Sequence, residues 1–81
     1  MIYMPLSEMP EGSEAEVVGF RGCGRFVRRA NNIGFHIGVK IKKLQSFGRR
    51  SLVQIGNFKV GLGRIASQKI LVKVNKREVN E

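Results

Sequence analysis

The chain has 81 residues and a formal charge of +9, with fifteen Lys and Arg against six Asp and Glu. That length fits one small domain, whose single core leaves little room for a deep enzyme cleft. The one cysteine excludes an internal disulfide or thiolate cluster, and no apolar run approaches the ~20 residues of a spanning helix.

The layout of the charge says more than its size. Glu8, Glu11, Glu14 and Glu16 stand near the start, and Glu78 and Glu81 at the end. No acid lies between Val17 and Arg77, yet every basic residue does. These cations cannot pair with neighbours along that stretch. They face the terminal glutamates, solvent or a partner. Nucleic acid, an anionic membrane face, an acidic protein and a plain solvated surface all fit.

The opening MIYMPLSEMPEG has neither a positive n-region nor a long apolar run. The expected location is cytoplasmic, at most peripheral to the inner face of a membrane. Residues 1–13 read as a lead-in packing on the domain, with one turn that lets Leu6 and Met9 both reach a core. Ala15 to Phe20 is a short β-branched run and reads as a strand. Gly22 and Gly24 suit a tight turn after it.

Gly24 to Ile33 reads as a helix. Phe26, Ala30 and Ile33 form one apolar stripe with Val27 on its flank, and Arg25, Arg28, Arg29 and Asn32 fall opposite. Gly34 suits the residue that ends a helix. The period then becomes two: Phe35, Ile37, Val39 and Ile41 alternate with His36, Gly38, Lys40 and Lys42, as in a strand with one wet face. Lys43-Leu44 breaks the phase as a bulge would.

Ser46 to Ser51, SFGRRS, reads as a basic loop, and Leu52 to Ile55 as a strand. Gly56-Asn57 is a two-residue hairpin turn. Phe58, Val60 and Leu62 then alternate as a core face. Arg64 to Gln68 makes one helical turn burying Ile65 or Ala66. Ile70, Val72 and Val74 form the last strand. The expected fold is mainly β: a small antiparallel barrel of about five strands, with one amphipathic helix after the first strand and a short helical turn before the last. Residues 14–76 make the domain, and 77–81 a polar tail.

Little chemistry is on offer. Aspartate is absent, and the glutamates keep to the two ends. General acid–base work needs paired groups of tuned pKa, which this pattern lacks. Cys23 and His36 are the only nucleophile–base candidates, and no third residue orients the imidazole. Cys23 is expected at least partly buried near the helix start, and His36 exposed. As metal ligands the two are weak candidates, because a closed site normally takes about four donors. RGCGRF has a GxG without the Lys/Ser pair of a phosphate loop. No enzyme activity and no cofactor are expected. A nucleic-acid-binding barrel needs stacking aromatics beside its cations. Only Phe47, next to Arg49 and Arg50, is placed for that. Phe20, Phe26, Phe35 and Phe58 all fall in core phase.

Taken in order, PLSEMPEGSEAEVVGF, GCGRFVRRANNIGFHIGVKI and SLVQIGNFKVGLGRIASQKILV resemble the ferrous iron transport protein A (FeoA) family from about Pro5 to Val74. The matching pieces are Leu6-Ser7-Glu8 before Pro10-x-Gly12, Ile33-Gly34-Phe35 after the helix, Gly38 with Val39 and Ile41, and Leu62-Gly63-Arg64 with Ala66 ahead of Ile70 and Val72. The resemblance implies an SH3-like barrel and a non-enzymatic accessory of ferrous iron uptake, with transition-metal binding often attached to the family. The partner it implies is the cytoplasmic GTP-binding domain of a membrane ferrous iron transporter. The chain departs from the family at Ala30, where leucine is common, and at Phe47-Gly48-Arg49-Arg50. On this reading Arg25, Arg28 and Arg29 form one protein-interaction stripe, and Lys40, Lys42, Arg49 and Arg50 a second surface. The alternative is a small basic nucleic-acid-binding barrel.

Overall fold

The computed structural model of the chain describes residues 2–74. The proposed tail, 77–81, lies outside the described residues. Six strands make one antiparallel sheet: β1 (Ile2–Pro5), β2 (Glu14–Phe20), β3 (Lys40–Phe47), β4 (Arg50–Ile55), β5 (Phe58–Leu62) and β6 (Ile70–Val74). Their order is β1-β6-β2-β3-β4-β5, so β1 and β5 are the two edges. Helix α1 (Gly24–Ile33) joins β2 to β3, and the short α2 (Arg64–Lys69) joins β5 to β6. The fold is therefore mainly β and antiparallel, with the two helical elements the sequence calls for. The sixth strand is β1. Its residues alternate poorly in hydropathy, and only the register Ile2↔Val74 to Pro5↔Leu71 along β6 defines it.

The core draws on every strand after the first. Val17, Ile41, Val53, Leu62, Ile70 and Val72 meet Leu6, Met9, Ala30 and Phe35 in one cluster. Leu6 sits in a single 3-10 turn, Leu6–Glu8, which lets it and Met9 both point inward, as their spacing requires. α1 matches its expected bounds because its stripe has something to cover. Ala30 is buried, and Phe26 packs edge-on against Phe20, with ring centroids 6.4 Å apart. Gly34 ends α1 at φ 127°, and its N–H donates to the carbonyls of Ala30 and Asn31.

Three expectations change. The strand expected from Phe35 begins only at Lys40. Phe35 donates its N–H back to Ala30, and Ile37-Gly38 makes a turn, with Gly38 at φ 93°. Phe35 still fills the core, but Ile37 is left exposed on that turn. The loop expected over Ser46 to Ser51 is a tight hairpin instead. The ladder runs on through Ser46↔Ser51 and Phe47↔Arg50, leaving only Gly48-Arg49 to turn. Phe58 opens the edge strand β5 beside the Gly56-Asn57 turn and is exposed, so only Val60 and Leu62 of that stripe pack inward.

The bulge at Lys43-Leu44 is present, between Lys43 and Gln45. It follows a residue that sequence reasoning did not place. Lys43 shares the phase of Ile41 and is fully buried.

Candidate functional site: a basic face with an apolar groove

The exposed cations fall into groups that differ in their neighbours. Arg25, Arg28 and Arg29 are exposed on α1, which carries no acidic residue. Arg49 and Arg50 stand at the β3–β4 hairpin, also exposed. They share a surface depression with Phe47 and with Arg64 and Ile65 at the start of α2. No carboxylate lines that depression. Lys40 and Lys42 are exposed too, but their surroundings are acidic. They lie in register with Glu16 and Glu14 across β2. Glu16 also pairs with Lys73 at 3.9 Å. Strand pairing thus brings the early glutamates to the lysines of the middle, which no local sequence pattern reveals. Opposite charges directly across a ladder favour one another. Among the described residues the arginines of α1 have no such partner in register, while Arg49 shares a second hollow with Glu8.

Arg64 and Ile65 were missed as surface residues. Their signal was the brevity of α2: six residues can bury only one side, and Ser67 takes it. The choice between Ile65 and Ala66 resolves with Ala66 half-buried and Ile65 exposed. Phe47 is exposed beside Arg49, as expected.

Cys23 differs from expectation. It is exposed at the cap position before α1, because the turn after β2 leaves the sheet there. No side-chain hydrogen bond caps the helix. The open N–H groups of Phe26 and then Arg25 nevertheless stabilise negative charge on the sulfur and hold its pKa below the ordinary thiol value, with Lys69 adding a smaller pull the same way. His36 is exposed just past the other end of α1. A ten-residue helix is about 15 Å long, so the two donors stand apart. Among the described residues, no three His, Cys, Asp or Glu side chains gather where they could hold a metal. The described donors therefore do not furnish a metal centre within one chain. Among the same residues, no helix is long and apolar enough to cross a membrane.

An open six-stranded antiparallel sheet with two helices is the architecture of a small SH3-like domain, and here it carries an arginine-rich face. The FeoA domain model matches residues 4–74. The chain belongs to the FeoA family. Comparison with curated protein sequences finds no match.

Several solved structures are similar. A crystal structure of an iron uptake regulatory protein, FeoA, is 24% identical, with a TM-score of 0.85 over 93% of this chain and 100% of that one. The FeoA of Stenotrophomonas maltophilia, a prokaryotic SH3 domain protein solved with zinc, is 25% identical, with a TM-score of 0.73 over 86% of this chain and 89% of that one. A manganese-dependent transcriptional repressor shares the fold at 21% identity and a TM-score of 0.82, over 90% of this chain but 42% of the repressor.

Proposed function

We propose that the chain is a cytoplasmic accessory of ferrous iron uptake that works by docking, with no chemistry of its own. Its partner in this reading is the cytoplasmic GTP-binding domain of a membrane ferrous iron transporter. Family membership over residues 4–74 supports the process. So does the S. maltophilia relative, described as a candidate ferrous iron transport activating factor.

One observation carries the docking step. Arg25, Arg28 and Arg29 are exposed on a helix without an acid. Uncompensated surface charge steers encounter with an oppositely charged face and fixes orientation more than it adds affinity. The zinc held by the S. maltophilia protein makes metal binding part of the family reading. Here Cys23 and His36 stand at opposite ends of α1, so the two do not share one ion within the described residues.

The test is size-exclusion light scattering with the transporter's GTP-binding domain, at low and moderate salt. A stoichiometric complex should form, and Arg28→Glu with Arg29→Glu should weaken it without unfolding the chain. A complex unchanged by that double reversal overturns the docking face. A single-stranded oligonucleotide that binds instead, and persists at moderate salt, leaves the family as a guide to fold alone.

A further inference from the structure

Ile33 and Ile65 are large apolar residues left 44% and 63% exposed, on α1 and α2 respectively. Both edge a single groove of about 240 Å³ whose floor includes the buried Ala30, Phe35 and Leu62, with Arg29 on its rim. Ile65 and Ala66 also line the neighbouring depression that holds Phe47, Arg49, Arg50 and Arg64. The two hollows therefore adjoin along α2. One is apolar and the other cationic, and no carboxylate lines either.

We propose that this double hollow is a docking groove for an acidic amphipathic helix of a partner protein. One apolar side chain of that helix seats between Ile33 and Ile65, and its carboxylates face Arg29, Arg49, Arg50 and Arg64. The proposal deepens the docking reading above and rests on it.

Four observations choose this occupant. The apolar half, about 240 Å³, falls short of the ~300–1,000 Å³ typical of small-molecule pockets and fits an inserted side chain, while the larger cationic half, about 580 Å³, leaves room for the flanking carboxylates. Its exposed apolar walls, Ile33 and Ile65, are side chains of two helices, which suits a helix laid in the groove between them. Its floor is concave and buried, so a flat lipid surface would meet the rim and leave Phe35 and Leu62 untouched. A second copy meeting this face isologously would set the same arginines against themselves, at a cost in like-charge repulsion.

The probe is a labelled synthetic helix with a leucine stripe flanked by glutamates, titrated with the full chain by fluorescence anisotropy. Two control peptides replace its glutamates by lysine, or its leucines by serine. Ile33→Ser with Ile65→Ser changes only exposed side chains, and circular dichroism checks that the fold persists. Binding should fall about tenfold or more in that variant and in Arg49→Glu with Arg64→Glu, as for loss of a central anchor or its charged rim. Both control peptides should bind correspondingly worse.

Equal binding of the serine peptide, or no effect of the isoleucine changes, overturns the groove. So does binding of phosphatidylglycerol vesicles, a single-stranded oligonucleotide or a second copy through these isoleucines while the acidic helix fails to bind. The transporter's GTP-binding domain is assayed in parallel. If the acidic helix binds through the isoleucines and that domain does not bind, the groove stands and the transporter reading fails. If the domain binds and the helix does not, the reverse holds.

Discussion

Lys43 Nζ donates a 3.0 Å hydrogen bond to the carbonyl of Leu6, 37 positions earlier in the chain. A second, of 3.2 Å, goes to the Met9 carbonyl. The backbone of Lys43 holds the same segment: its N–H donates to Ser13 and its carbonyl accepts from Gly12. One fully buried lysine thus fastens the Leu6–Ser13 stretch to β3. Its ammonium replaces water as the donor to the Met9 carbonyl and adds a second donor to the Leu6 carbonyl, which already accepts from the Met9 N–H.

Replacing Lys43 by methionine keeps the length of the side chain, strands the Met9 carbonyl and leaves the Leu6 carbonyl with the Met9 N–H alone. Buried acceptors left unpaired cost about 1–3 kcal/mol, so stability should fall by that order. Urea denaturation measures the loss. Hydrogen exchange should place it first in β1 and the turn after it. An unchanged midpoint would mean that water replaces the ammonium at no cost.

The same lysine gives a pH dependence. Burial holds its pKa below the ordinary lysine value, with Glu11 acting the other way. Between the lowered folded value and the unfolded one, the unfolded chain binds the extra proton. Stability from this group therefore rises with pH across that alkaline window, and is flat below it, where both states are charged. Subtracting the Lys43→Met melting curve from the parent's should isolate the slope, since the other groups titrate in both proteins.

Gly34→Ala should cost about 1–3 kcal/mol, because φ 127° is a backbone conformation that an L side chain rarely adopts. Space is not the obstacle: an added Cβ would sit 3.6 Å from Ile55 Cδ1, an ordinary contact. Gly24→Ala is the control, with no positive φ and open surroundings. Chemical denaturation of the two variants should separate strain from crowding.

The lysines and the arginines should answer differently to neutralisation. Lys40→Gln and Lys42→Gln each remove a partner across from Glu16 or Glu14. Each should lower stability by roughly 0.2–1 kcal/mol. Arg28→Gln with Arg29→Gln should leave the melting temperature unchanged and slow association with the acidic partner, most visibly at low salt. Thermal melts and stopped-flow binding read the two effects separately.

Cys23 should alkylate faster in the folded chain than in the urea-unfolded chain near neutral pH. The open N–H groups of α1 raise its thiolate fraction, and the side chain is exposed. The rate with iodoacetamide checks this. Equal rates would mean that the helix terminus does not reach the sulfur.

Local pattern sufficed for much of this protein. The stripe Phe26, Ala30 and Ile33, ended by Gly34, determined α1, because helix period and termination are written within a dozen residues. Alternation determined β6, and Gly56-Asn57 determined the β4–β5 turn, for the same reason. The ordered motifs from Leu6 to Val72 carried the family. Tertiary structure decided what depends on distant partners. β1 exists because β6 offers it a ladder. Lys43 lies inside because carbonyls far back in the chain replace its water. Phe58 and Ile37 lie outside because an edge strand and a turn give them nothing to cover. That Lys40 and Lys42 lie opposite Glu16 and Glu14 was invisible in the sequence, since the register runs across β2 and β3. The groove beside Ile65 was equally hidden. It forms only where α1 and α2, joined by more than a third of the chain, come to lie over one floor.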